Sequence, residues 1–153
     1  MSNKFKPLPA PHQAGIIVEN LEESIKKYNQ LSGQEVMMRL DFSPEKHWVF
    51  GKERPIQLDI AMYQIGDMQI ELIEPIDSPL HEEYMKEHGE GFNHFGYYVD
   101  DYDGYYQQIV DQGYKLLMNA EYEMNGETLR AAYFDTSEGI GIWTELIEKG
   151  SWM

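Results

Sequence analysis

The tetrapeptide Glu-Leu-Ile-Glu occurs twice, at 71–74 and at 145–148, and each copy closes a segment with the same succession of features. In the first segment His12 leads through "QAGIIV" to Val18-Glu19-Asn20 and then to a helical pattern ended by Gly33. In the second, His94 leads to Val99-Asp100-Asp101 and a helical pattern ended by Gly113. Alternating apolar runs follow in both: "EVMMRLDF", "IQLDIAMYQ" and "MQIELIEP" in the first, "YKLLMNAEYE", "TLRAAYFD" and "IGIWTELIE" in the second. Period-2 alternation predicts strands, and the 3.6-residue spacing of Leu21, Ile25, Tyr28 and Leu31, with Asn20 as N-cap, predicts a helix. The order is therefore βαβββ, stated twice, and an internal repeat constrains the fold more than any single motif.

The expected architecture is α+β, one domain over 1–153. Module one covers about 10–75, a connecting helix about 78–89 (Ser78 as N-cap, Pro79 at its first position, Gly89 as stop), and module two about 92–149. The histidine-to-glutamate separation is longer in the first half, which a longer loop over "SPEKHWVFGKERP" would absorb. "NG" at 125–126 predicts a hairpin turn.

A sheet that curls into a half-barrel brings the first and last strands of a module together. His12, Glu71, His94 and Glu145 then face one concave surface, Glu71 sharing its face with Gln69 and Ile73 and Glu145 with Trp143 and Ile147, so that each acid has apolar neighbours. A desolvated carboxylate there must be protonated, paired or bound to a cation. Two imidazoles and two carboxylates suit one divalent ion of intermediate hardness (Zn, Ni, Co, Mn or Fe), and the residue types do not choose among these. The chain has no cysteine, which removes thiolate ligands, a thiol nucleophile and disulfides. His47, His81 and His88 fall in loop or connecting-helix sequence and are expected to be solvated.

Twelve Lys+Arg against 27 Asp+Glu give a formal net charge of −15, which disfavours nucleic acid and anionic membranes as partners. No apolar run is long enough to span a bilayer and the N-terminus lacks a signal-peptide core, so a cytoplasmic protein is expected.

These motifs, "HQAGIIVENLEESIKKY", "IELIEP", "GEGFNHFGYYVDD" and "GIGIWTELIE", resemble the vicinal oxygen chelate superfamily: glyoxalase I, methylmalonyl-CoA epimerases, extradiol dioxygenases and bleomycin-resistance proteins. The likeness is greatest to the epimerase and glyoxalase-I-like branch. It implies two βαβββ modules forming a cup-shaped, barrel-like mixed sheet, a metal held at His12, Glu71, His94 and Glu145, and a homodimer. Glu71 stands where the epimerases carry glutamine and glyoxalases glutamate.

The chemistry implied is an epimerase or isomerase that moves a proton next to a metal-bound carbonyl. Asp59, near the position of the epimerases' strand glutamate, or Glu145 would act as base. The substrate would be a small oxygenated molecule or an acyl thioester. The alternatives are a lactoylglutathione-lyase-like enzyme, an extradiol-dioxygenase-like enzyme, and a metal-free binding protein for a small molecule such as a drug.

Overall fold

A computed structural model of the chain describes residues 5–44 and 46–153. The first half comprises β1 (Gln13–Ile17), α1 (Leu21–Ser32), β2 (Met38–Phe42), β3 (Lys46–Val49), β4 (Gln57–Ile65) and β5 (Met68–Asp77). After α2 (Pro79–His88) the second half runs β6 (Gly91–Val99), α3 (Tyr102–Asp111), β7 (Lys115–Met124), β8 (Glu127–Asp135), the short α4 (Ser137–Ile140) and β9 (Trp143–Glu148). The order βαβββ is present in both halves, with one strand more in the first. The strands form one mixed sheet in the order β2-β4-β5-β1-β6-β9-β8-β7-β3.

Local chemistry accounts for the element ends. The Asn20 side chain accepts from Glu23 N, and Gly33 closes α1 at φ 69°, a conformation that needs glycine's freedom. Asp101 caps α3 in the same way, accepting from Gly104 N. Asn125 and Gly126 both have positive φ (51° and 80°), as a two-residue hairpin demands. Ser78 precedes α2, but its hydroxyl does not cap the helix. It is bonded to His81 instead.

The two halves repeat one pairing scheme. Parallel β1/β5 matches parallel β6/β9, and antiparallel β5/β4 and β4/β2 match β9/β8 and β8/β7. β1 and β6, antiparallel, join them. The segment read as a longer loop contains the extra strand: β3 leaves β2 and pairs with β7 of the second half, Lys46 opposite Glu121 and Val49 opposite Met118. The chain therefore passes from one edge of the sheet to the other, and the Phe42 ring meets Tyr122 across the gap with centroids 5.9 Å apart. This narrows the cup toward a barrel and covers an edge that would otherwise be free to pair.

Side-chain alternation then sorts the residues. On the outer face Val18, Leu21, Ala61, Tyr63 and Leu72 pack with Ile25 and Tyr28 of α1, while Val99, Tyr102, Ile109, Ala132, Phe134 and Leu146 pack around α3. Leu31, at the end of the apolar series of α1, is 83% exposed and is not part of this packing. The concave face carries Ile17, Leu58, Ile60, Ile73, Tyr133 and Trp143, continuous with Leu80 and Tyr84 of α2.

Candidate metal centre

Glu71, His94 and Glu145 converge at the floor of the cup, with one ligand atom from each within 4.8 Å of the others. They come from β5, β6 and β9, and all three are buried. His94 Nε2 lies 3.2 Å from Glu145 Oε1 and 3.6 Å from Glu71 Oε1. Its other ring nitrogen, Nδ1, is 2.9 Å from Asn93 Oδ1 and donates to it, which orients the ring with Nε2 toward the two carboxylates. Neither approach has hydrogen-bond geometry, so Nε2 is a fully buried polar atom without a partner.

Two glycines make the convergence possible. Across β1/β6, Gly15 is opposite His94 and Gln13 is opposite Gly96. A β-carbon on Gly15 would fall 2.1 Å from His94 Cε1, and one on Gly96 would fall 2.7 Å from Gln13 Oε1 and 3.3 Å from Glu145 Oε1. Each glycine is also the parallel-strand neighbour of a glutamate: Gly15 of Glu71 and Gly96 of Glu145. The repeat thus forms a pseudo-twofold arrangement in which each half supplies one glutamate, one glycine and one residue that lies over the other half's glycine.

In the second half that last residue is His94. In the first it is Gln13 and not His12. The backbone of His12 is held between neighbouring strands, with its N–H donating to Gly96 O and its carbonyl accepting from Gln69 N. Its Nδ1 accepts from Tyr98 N at 3.2 Å, and its ring meets Tyr98 edge-on. His12 is therefore outside the converging group, one residue ahead of the position that faces the floor.

Gln13 is buried, with its amide nitrogen toward Gln69 Oε1 (3.3 Å) and its amide oxygen toward the glutamates. Turned over, the amide nitrogen donates to Glu71 Oε1 at 2.8 Å and Glu145 Oε1 at 3.1 Å. The repeat itself carried the signal for Gln13: it precedes Val18 by five residues, as His94 precedes Val99, whereas His12 precedes Val18 by six.

Asp59 is also displaced from its expected role. Leu58, Ile60 and Met62 line the cavity, so alternation sends Asp59 to the opposite face of β4. There both its oxygens accept from Arg39 at 3.1 Å, and Arg39 also pairs with Glu22. Of the large aromatics on the strands, Tyr133 lines the cup, whereas Tyr63 and Phe134 are packed beneath the outer helices.

His81, expected to be solvated, is fully buried. Its Nδ1 is 2.7 Å from Ser78 Oγ, its Nε2 is 3.4 Å from Tyr133 Oη, and its ring packs edge-on against Tyr133 and Trp143. Burial, and then the positive charge of His94, push its imidazole down to about 3, so His81 is neutral. It braces Tyr133, whose ring lies 5.2 Å from that of His94.

The electrostatics of the floor favour positive charge between the acids. Burial works to lower the His94 imidazole, but Glu145 and Glu71 outweigh it and raise the group to about 9. Burial raises Glu145, an effect that His94 opposes and Glu71 reinforces. Without another cation the centre keeps a proton on His94 between the acids. A lone pair and two carboxylates aimed at one point equally fit a divalent ion, which the Gln13 amide oxygen could join as a neutral fourth donor.

Above the floor lies a cavity of about 450 Å³, lined by Gln13, Glu71 and Glu145 and by largely apolar walls from both halves. Tyr98 and Tyr133 line it; burial together with the two glutamates raises both phenols, which therefore stay neutral, and the Tyr98 hydroxyl donates to Gln69 Oε1 at 2.9 Å.

Residues 12–134 match the Glyoxalase/Bleomycin resistance protein/Dioxygenase superfamily. The uncharacterized protein YqjC of Bacillus subtilis (strain 168) is 28% identical over 95 residues, 60% of this chain and 66% of that protein, so the chain spans slightly under two thirds of this relative. Among solved structures, the hypothetical protein BH1468 from Bacillus halodurans C-125 superposes with a TM-score of 0.69 at 20% identity, over 92% of this chain and 94% of that one. A Streptomyces coelicolor methylmalonyl-CoA epimerase in complex with 2-nitronate-propionyl-CoA gives 0.68 at 20% identity, over 95% and 97%. The methylmalonyl-CoA epimerase of Mycobacterium tuberculosis gives 0.69 at 18%, over 99% and 95%. At these identities the likeness is one of fold.

Proposed function

The chain belongs to the Glyoxalase/Bleomycin resistance protein/Dioxygenase superfamily, and from its centre we propose that it is a metal-dependent enzyme of epimerase or isomerase type. It would move a proton on the carbon beside a carbonyl of a small oxygenated substrate. The observation that carries this reading is the unpartnered, fully buried Nε2 of His94 facing two buried carboxylates at the bottom of a ligand-sized cavity.

Glu71, His94 and Glu145, with Gln13 as a fourth donor, would hold the cation. When bound, it would supply Lewis-acid polarisation of the substrate carbonyl. Glu145 is the preferred base. It lines the cavity, and burial raises its proton affinity. Glu71 reaches the same cavity from the other half, so two carboxylates approach a bound substrate from opposite modules. The proton that leaves carbon for a Glu145 oxygen would return from Glu145 to the same carbon; inversion would need a second proton, delivered to the opposite face from solvent or a solvent-recharged acid, while Glu145 releases the first to solvent. The apolar walls would limit the water that could exchange the proton.

The experiment is metal analysis of purified protein, followed by solvent-deuterium uptake across α-chiral carbonyl compounds before and after chelator treatment. About one divalent ion per chain and chelator-sensitive uptake are expected. Chelator-treated protein that exchanges at the full rate would end the proposal. The homodimer belongs to the same reading, and light scattering checks it.

A further inference from the structure

The walls of the cavity carry information about its ligand that the floor does not. Asp41 and Glu123 line it along with Glu71 and Glu145, and no lysine or arginine among the described residues does. Both rim acids are exposed, and their hydrogen bonds come from neighbouring hydroxyls, Ser43 to Asp41 and Thr128 to Glu123. They lie along the seam where β2 approaches β7, next to the Phe42–Tyr122 contact.

Basic groups on three of the strands, β2, β3 and β8, are committed elsewhere. Arg39 pairs with Glu22 and Asp59, Lys46 with Glu121, and Arg130 with Asp103 and Glu148. A divalent ion would balance Glu71 and Glu145, leaving the rim negative. The remaining wall is soft and apolar: Met37, Met38, Met62 and Met124 supply thioethers, and Trp152 supplies an indole. Gly150 seats that indole, since a β-carbon there would lie 2.3 Å from Trp152 Cζ3.

We infer that the ligand of this cavity is a small, uncharged, largely apolar oxygenated molecule with no anionic group beyond the oxygens it presents to the floor. This rests on the proposed proton-transfer centre and narrows its substrate class. Phosphorylated acyl carriers and substrates with a carboxylate tail fall outside it, because an anion entering past Asp41 and Glu123 meets like charge with no lysine or arginine to receive it.

The test uses the full chain and two matched probe pairs, read by tryptophan fluorescence and calorimetry. On zinc-loaded protein, benzohydroxamic acid is compared with its 4-carboxy derivative. The carboxylated probe is expected to bind at least tenfold more weakly, and the double change Asp41→Lys, Glu123→Lys is expected to bring the two within about threefold. Equal or tighter binding of the carboxylated probe by the unaltered protein, or a gap that the double change leaves intact, would overturn the inference. On metal-free protein, acetanilide and 4-acetamidobenzoate read the walls without the floor. Acetanilide should bind more tightly, and the reverse order would also overturn the inference. A protein that takes up no zinc, and on which hydroxamate has no advantage over anilide, would sink the proposed enzyme. The order within the second pair would then still decide the ligand's charge.

Discussion

A β-carbon placed on Gly15 would lie 2.1 Å from Cε1 of His94, closer than any real contact, so the imidazole occupies the space that glycine leaves. Gly15→Ala must therefore displace either the ring or strand β1. We expect a stability loss of about 1–3 kcal/mol from overpacking and a fall in zinc affinity of at least tenfold, read by urea denaturation and by calorimetric titration with zinc. Wild-type affinity in a folded Gly15→Ala protein would show that His94 is not a ligand.

Zinc should compete with a proton. With His94 raised to about 9, the metal-free centre is protonated at neutral pH, and an entering cation must displace that proton. Titration at pH 7 in buffers of different ionisation enthalpy should show release of about one proton per zinc, with affinity rising as pH approaches 9. Glu71→Gln should keep the fold and some metal binding, whereas His94→Ala should abolish both binding and deuterium exchange.

Stability of the metal-free chain should decline with pH. His94 and Glu145 are both raised in the folded state, so the native protein holds more protons than the unfolded chain over the window from the ordinary carboxylate range up to about 9. In that window unfolding releases protons and stability falls as pH rises. The His94 contribution is fully present below about 6.5 and is lost through about 9. Denaturant midpoints at pH 6, 7.5 and 9 in the presence of chelator should fall in that order, and Glu145→Gln should flatten the trend.

His81→Ala should act chiefly through structure, with a smaller contribution from titration. The ring is fully buried, bonded to Ser78 and packed against Trp143. Its loss should cost about 2–4 kcal/mol by cavity formation and an orphaned hydroxyl. Because burial holds His81 neutral in the folded chain while the unfolded imidazole takes up a proton below about 6.5, the wild type is penalised at low pH and the cost of the substitution should be smaller at pH 6 than at pH 8.

Asp59→Asn should leave deuterium exchange and zinc affinity unchanged. It removes one partner of a half-exposed pair with Arg39, worth about 0–1 kcal/mol. A large drop in exchange would restore the role that its place on β4 first suggested.

What the sequence made legible follows from the repeat, and so does what it hid. Glu71 and Glu145 could be found because identical tetrapeptides end both halves, and a carboxylate among apolar strand residues has few structural uses. His94 could be found because a second histidine appeared to answer it. The residue in the matching place is Gln13 and not His12, since strand phase is set by the count to Val18, and an amide draws a metal reading less readily than an imidazole. His81 was hidden because the helix pattern of 79–88 does not show which turn lies beneath the sheet. The pairing of β3 with β7 was also hidden, because four residues of a neighbouring half carry no local sign of their partner.

The division of the centre between the halves gives the chain a means of control that its composition otherwise withholds. With no cysteine it has no covalent bridge available, but a cation held by Glu71 of the first half and by His94 and Glu145 of the second would be a reversible cross-link, tying residue 71 to residues 94 and 145. The rigidity of the whole cup, and not only its chemistry, would then follow the supply of metal.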